Sequence, residues 1–126
     1  MPSRILIIED DPYNMDLFST LLQSEGYEVA LSDKAYEDMA EVEAIQPHLI
    51  ILDIRLRTRE EGYTCLQKLR LYRTTEDIPV IVCTAATEFI REYEETLLRK
   101  GIPVLSKPFD IDELLGAVRQ RLPSLN

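Results

Sequence analysis

Three runs of four consecutive apolar residues punctuate this chain: Ile5-Leu6-Ile7-Ile8, Leu49-Ile50-Ile51-Leu52 and Val80-Ile81-Val82-Cys83. A strand that is apolar at every position has to be covered on both faces, because alternate side chains point to opposite sides of a sheet. Helices packed on both faces of a parallel sheet supply that cover. Two further runs complete the set. Residues 27–31 (YEVAL) alternate more, as a strand nearer an edge does, and residues 102–105 (IPVL) are again largely apolar.

Amphipathic segments with defined ends separate the runs. Asp11-Pro12 offers a cap and then proline at the first helical position. Met15, Phe18, Leu21 and Leu22 form one stripe after it, and Gly26 stops the helix. The same reasoning predicts a second helix over residues 35–45 and a third over 62–72 with Leu66 and Leu69 inward. A fourth runs from about Thr87 to Gly101, carrying Ile90, Leu97 and Leu98. The fifth is capped by Asp110, has Glu113 at capping-box spacing, and presents Leu114, Leu115, Val118 and Leu122. Strand then helix, five times over, implies right-handed crossovers and an α/β fold. With 126 residues, 45% of them apolar, and no repeat or linker, the chain reads as one domain with one core.

Charge narrows the partners. Fourteen Lys+Arg against 23 Asp+Glu leave a net −9, which repels nucleic acid and anionic membrane and favours a cation or a basic protein surface. Two cysteines, Cys65 and Cys83, with no CxxC and the single histidine His48, cannot build a zinc or haem site. They read as buried apolar residues in a reducing compartment. No apolar run approaches the roughly 18 residues of a membrane span, and the first is too short for a signal peptide. The expected location is the cytoplasm. His48, opening the third strand at the far end of the sheet, reads as structural.

In an open parallel sheet, ligands bind beyond the carboxyl ends of the strands. There the first strand ends in Glu9-Asp10-Asp11, the third in Asp53, the fourth in Thr84 and the fifth in Ser106-Lys107. An Asp after a strand is on its own usually a helix cap. Carboxylates packed together, however, destabilise one another unless a cation neutralises them. Hard oxygen ligands at a partly open site suit Mg²⁺, which keeps several waters and usually meets a phosphate. Asp53 could then be a nucleophile forming an acyl phosphate. Lys107 and the Thr84 hydroxyl would stabilise charge on the transferred group.

These motifs, Glu9-Asp10-Asp11, Asp53, Thr84-Ala85 and Lys107-Pro108-Phe109 in that order, resemble those of a response-regulator receiver domain over essentially the whole chain, residues 1–126. The resemblance implies a flavodoxin-like (βα)5 fold with strand order 2-1-3-4-5. It implies Asp53 as phosphoacceptor, Asp11 as a direct Mg²⁺ ligand, Asp10 as a ligand through water, and the Arg55 carbonyl completing the metal site. It implies Thr84 and Lys107 on the phosphoryl group, and a cis peptide at Lys107-Pro108. The implied donor is a phosphohistidine on a sensor histidine kinase or a histidine phosphotransfer protein. The implied output is a downstream protein meeting the face of helix four, strand five and helix five. Such a domain is a signalling switch that assists its own phosphorylation and dephosphorylation rather than an enzyme with a separate substrate.

Departures from the family pattern are local. Arg57 and Glu61 stand where many receivers carry Pro and Gly, and the glycine comes one later at Gly62, so residues 54–61 read as a loop one residue longer. Its Arg55, Arg57 and Arg59 make it basic, and Arg55 or Arg57 is expected to point toward Asp10, Asp11 or Asp53 when no metal is bound. Val104 occupies a place where many receivers have an aromatic switch residue. The rival functions are poorer fits. A flavin site needs a Ser/Thr/Gly-rich phosphate loop after the first strand, and an aspartyl-phosphate phosphatase needs an acid where Arg55 stands. A phosphorylation-independent pseudo-receiver normally lacks one of Asp11, Asp53, Thr84 and Lys107, all present here.

Overall fold

The computed structural model describes residues 2–36, 38–55 and 59–122. Five strands alternate with five helices: β1 (Arg4–Ile8), α1 (Pro12–Ser24), β2 (Glu28–Ser32), α2 (Met39–Ile45), β3 (Leu49–Leu52), α3 (Arg59–Leu71), β4 (Val80–Thr84), α4 (Thr87–Arg99), β5 (Val104–Ser106) and α5 (Ile111–Arg121). They form one sheet in the order β2-β1-β3-β4-β5, with every pairing parallel. The architecture is the one the alternation of apolar runs implies.

Strand parity divides the core. Leu6, Ile8, Ile50, Leu52, Val80, Val82 and Val104 face one side, where Met39 and Val42 of α2, Leu66 and Leu69 of α3, and Phe89 and Leu97 of α4 cover them. Ile5, Ile7, Leu49, Ile51, Ile81, Cys83 and Leu105 face the other, against Phe18 and Leu22 of α1 and Leu114 and Val118 of α5. Residues of β1, β3 and β4 are therefore almost all fully buried, while β2 on the edge is partly exposed. The thiols of Cys65 and Cys83 lie in this core, and burial raises both, that of Cys83 to about 12. Neither is a thiolate at neutral pH, so neither is a nucleophile. At the amino end of the strands, His48 Nδ1 accepts the Arg4 N–H at 2.9 Å and the His48 N–H donates to the Arg4 carbonyl at 2.7 Å. No helix among the described residues is long and apolar enough to cross a membrane.

The structure differs from the sequence reading at some helix ends. α2 starts at Met39 rather than residue 35, because the Asp38 carboxylate accepts the Ala40 N–H at 2.9 Å and caps it there. Leu98 is 58% exposed, and Phe89, about two turns before Leu97 on the inward stripe, is the buried anchor of α4. Residues 56–58 of the basic loop lie outside the described residues, and α3 begins at Arg59, three residues ahead of the expected start at Gly62, so Gly62 lies in the first turns of the helix. Its role is close approach: a Cβ at Gly62 would stand 1.8 Å from the Ile54 carbonyl oxygen. Gly62→Ala therefore forces backbone apart immediately after the third strand. We expect a loss near the upper end of the about 1–3 kcal/mol that overpacking costs, read from urea unfolding midpoints. An unchanged midpoint would mean that α3 can shift at no cost.

Candidate functional site

The ladders continue one step past the carboxyl ends of the strands, and those steps fix the site. The Glu9 N–H donates to the Ser32 carbonyl, the Asp53 N–H to the Ile8 carbonyl and the Lys107 N–H to the Thr84 carbonyl, each at 3.0 Å. The rim residues thus inherit the rigidity of the sheet. The Lys107–Pro108 peptide is cis.

Lys107 Nζ donates to Glu9 Oε2 at 2.5 Å and to Asp53 Oδ2 at 3.0 Å. All three are largely out of water, with side-chain exposures of 13% for Lys107, 2% for Glu9 and 7% for Asp53. Burial, with the charge of Asp53 beside it, holds the Glu9 carboxyl above the usual carboxylate range although the Lys107 hydrogen bond pulls it down. Burial by itself would lower the Lys107 ammonium. Its bonds and charge contacts with Glu9 and Asp53 outweigh that, and its pKa stands above the ordinary lysine value. The other oxygen of Asp53, Oδ1, accepts the Arg55 N–H at 2.9 Å. Thr84 is fully buried, and its Oγ1 accepts the Ala86 N–H at 3.1 Å.

Glu9, Asp10 and Asp53 each offer a carboxylate oxygen within 4.8 Å of the others, a set that could hold a metal ion. Asp10 is exposed, so the set opens to solvent on one side. The expected pair Asp10/Asp11 is displaced by one residue. Asp11 is the N-cap of α1: Oδ1 accepts the Tyr13 N–H at 3.1 Å and Oδ2 accepts the Asn14 side-chain amide at 2.9 Å. The cause is Pro12, which pushes the preceding residue to extended backbone, here φ −85° and ψ 117°. Both Asp11 oxygens are thereby turned to the helix start. Glu9 takes the inner position instead, its Oε1 also accepting the Asp11 N–H at 3.2 Å. The signal was present in Asp-Pro, since a carboxylate that caps a helix is already occupied.

Among the described residues no ion pair joins Arg55 to Asp10, Asp11 or Asp53, and its side chain is exposed beside a cavity of about 270 Å³ lined by residues 85–89. Arg57 lies outside the described residues. Among the described residues the cation that meets the carboxylates is Lys107, reaching back from the end of β5, rather than Arg55.

A family model for the response regulator receiver domain matches residues 5–119. The chain belongs to that family. The receiver is 39% identical over 119 residues to the DNA-binding dual master transcriptional regulator RpaA of Synechocystis, covering 94% of this chain and 48% of that protein. It is 31% identical over 123 residues to the transcriptional regulatory protein KdpE of Staphylococcus aureus, covering 94% and 49%. The receiver thus spans about half the length of these curated relatives. Among solved structures it is similar to the receiver domain of a sensor histidine kinase from Pseudomonas aeruginosa that has a magnesium ion coordinated in its active-site cleft, with a TM-score of 0.78, 27% identity and coverage of 96% and 98%. A CheY-like receiver from Methanospirillum hungatei gives a TM-score of 0.79 at 29% identity, covering 95% and 93%. The receiver is thus a signalling domain of two-component systems.

Proposed function

We propose that Asp53 accepts a phosphoryl group from a phosphohistidine, in a Mg²⁺-dependent reaction, and that the resulting acyl phosphate switches the partner-binding surface of the domain. The observation that carries this reading is the position of Asp53: buried, hydrogen-bonded through both oxygens, and grouped with Glu9, Asp10 and the Lys107 ammonium. Glu9, Asp10 and Asp53, with the Arg55 carbonyl, would hold the metal. The hard oxygen donors and the open side at Asp10 fit Mg²⁺, which when bound neutralises the carboxylates and the oxygens of the incoming phosphoryl group.

An Asp53 oxygen attacks phosphorus, the P–N bond to the donor imidazole breaks, and the imidazole nitrogen takes back the electron pair. Lys107 leaves its contact with Asp53 to meet a phosphoryl oxygen, retaining Glu9 as its counter-charge. Thr84 Oγ1 now only accepts, from Ala86, so its proton is available to a phosphoryl oxygen. Drawing the Thr84 side chain toward the phosphoryl oxygen strains or breaks the bond from Ala86. Ala86 is the N-cap of α4 and has no side-chain cap of its own. The start of α4 is thereby coupled to the state of Asp53. The surface of α4, β5 and α5, around Ile90, Tyr93 and Val104, is the one offered to a downstream protein. The donor is a sensor histidine kinase or phosphotransfer protein in the cytoplasm, and direct nucleic-acid binding by this acidic domain is not proposed. The unit is residues 1–126, a switch rather than a turnover enzyme.

Titration with Mg²⁺ and beryllium fluoride, followed by amide NMR, tests the reading. We expect saturable shifts at Asp53, Thr84 and Lys107, spreading through residues 85–88, with the Val104 side chain nearly still. Val104 is short and stiff at χ1 and cannot sweep the volume of an aromatic switch. No saturable response would remove the phosphoacceptor reading. A rotamer change at Val104 with residues 85–88 unmoved would overturn the account of the switch.

A further inference from the structure

Away from the acidic rim, residues of α3, the end of α4 and Ile102 line a groove of about 240 Å³. Because each helix runs back along the sheet, this groove lies at the amino end of the strands, opposite Asp53. Leu66, Leu71, Leu97 and Ile102 give it apolar walls, and Arg70 and Lys100 are the charged residues lining it. Leu71 is 77% exposed, and the next residue, Tyr72, is 53% exposed. Arg70 and Lys100 are exposed, and neither forms an ion pair among the described residues. In a chain of net −9, an apolar groove flanked by two unpaired cations stands out from the rest of the surface.

We propose that this groove docks a short acidic peptide segment of a partner protein, inserting a large apolar side chain between α3 and α4 while its carboxylates meet Arg70 and Lys100. Cations at helix carboxyl termini also complement the helix dipole, which accounts for Arg70 on α3. The dipole does not account for the exposed leucine beside it or for Lys100 converging on the same groove. The surrounding negative charge sharpens the choice: a chain of net −9 repels an acidic segment overall, so two cations beside an apolar groove favour docking there. A second copy of the chain is a poorer occupant, because two bodies of net −9 repel as they approach.

Selection from a library of short random peptides displayed on phage, with the intact chain as bait, tests the proposal. Enriched sequences should combine Asp or Glu with Leu, Ile or Phe, and amide shifts on binding should centre on Leu66, Arg70, Leu97 and Lys100. Reversing both charges (R70E with K100E) should weaken the selected peptide by roughly tenfold or more, and Leu71→Ser by a similar factor, whereas R70K with K100R should retain binding. These side chains are exposed, so native amide dispersion should persist in every variant. The proposal is overturned if no peptide is enriched, if enriched peptides are neutral or basic, if the shifts map elsewhere, or if charge reversal leaves affinity unchanged. Self-association that R70E with K100E abolishes would give the groove to a second copy and overturn it equally.

Discussion

Asp53→Asn should abolish labelling of the chain by acetyl phosphate and Mg²⁺, lowering the rate by on the order of a thousandfold or more, as removal of a nucleophile does. The substitution keeps the shape of the side chain, and its amide oxygen can still accept the Arg55 N–H that Asp53 now accepts at 2.9 Å. What it lacks is a carboxylate oxygen able to form an acyl phosphate. Folding should be unharmed, because removing one of three crowded carboxylates relieves repulsion while Lys107 keeps Glu9 as its partner. Intact-mass spectrometry after acetyl phosphate treatment reads the result. Labelling of Asp53→Asn at the native rate would remove Asp53 from its role, and a label found on Glu9 or Asp10 would relocate it.

Lys107→Ala carries the other large effect, and it falls on stability. Glu9 and Asp53 would face each other in a largely dry site with no cation between them, and breaking a buried pair by removing one partner costs about 3–5 kcal/mol. Lys107 retains some exposure, so about 3 kcal/mol is the expected loss at neutral pH, read from urea unfolding. The loss should depend on pH. Glu9 already sits above the usual carboxylate range, and removing Lys107, which pulls it down, raises it further. A carboxyl whose folded pKa is raised favours folding when protonated. The variant should therefore recover on mild acidification and lose stability as pH rises through the raised value. Added Mg²⁺ should restore part of the loss, and so should Glu9→Gln on the same background. A variant as stable as the parent at neutral pH would show that the three side chains are not energetically coupled.

The fold was legible because its strongest signals are local. Unbroken apolar runs specify strands buried on both faces, and Gly26, Asp110 and Asp11-Pro12 mark helix ends through backbone chemistry that depends on few neighbours. The sequence pattern sets α2 too early because Ala35 and Tyr36 are apolar and pack on the core without being helical. Their burial resembles helix periodicity in the sequence, whereas the Asp38 cap decides where hydrogen bonding begins. The sequence places the start of α3 three residues late, at Gly62, because glycine marks helix ends more often than helix interiors, whereas this one lets the helix touch the Ile54 carbonyl. At the site, Thr84 ends its strand while Asp53 and Lys107 follow theirs by one residue, so all three can be placed by counting. The acidic pair could not be placed by composition, since Glu9, Asp10 and Asp11 are three acids in a row. Choosing among them needs the backbone direction at Pro12 and the reach of Lys107, and only the second is invisible in the sequence. The expectation that Arg55 lies over the carboxylates is a charge argument without a geometry, and Lys107 meets that electrostatic need from beyond β5.

The order of strands in the sheet also has a consequence for how the chain acquires its structure. β1 is made first, yet both of its neighbours, β2 and β3, come later, and β3 is separated from it by two helices and a strand. Until Leu49–Leu52 arrives, the run Ile5-Leu6-Ile7-Ile8 keeps one edge of unpaired amides and carbonyls, on a segment without a charge or a proline to blunt it. Such a segment is a template for pairing with another chain, and parallel pairing over a long loop is slow to close. The hazard belongs to synthesis and refolding, not to the finished molecule, in which β1 is sealed on both edges and both faces. Refolding yield should therefore fall with protein concentration even where the native state is fully stable.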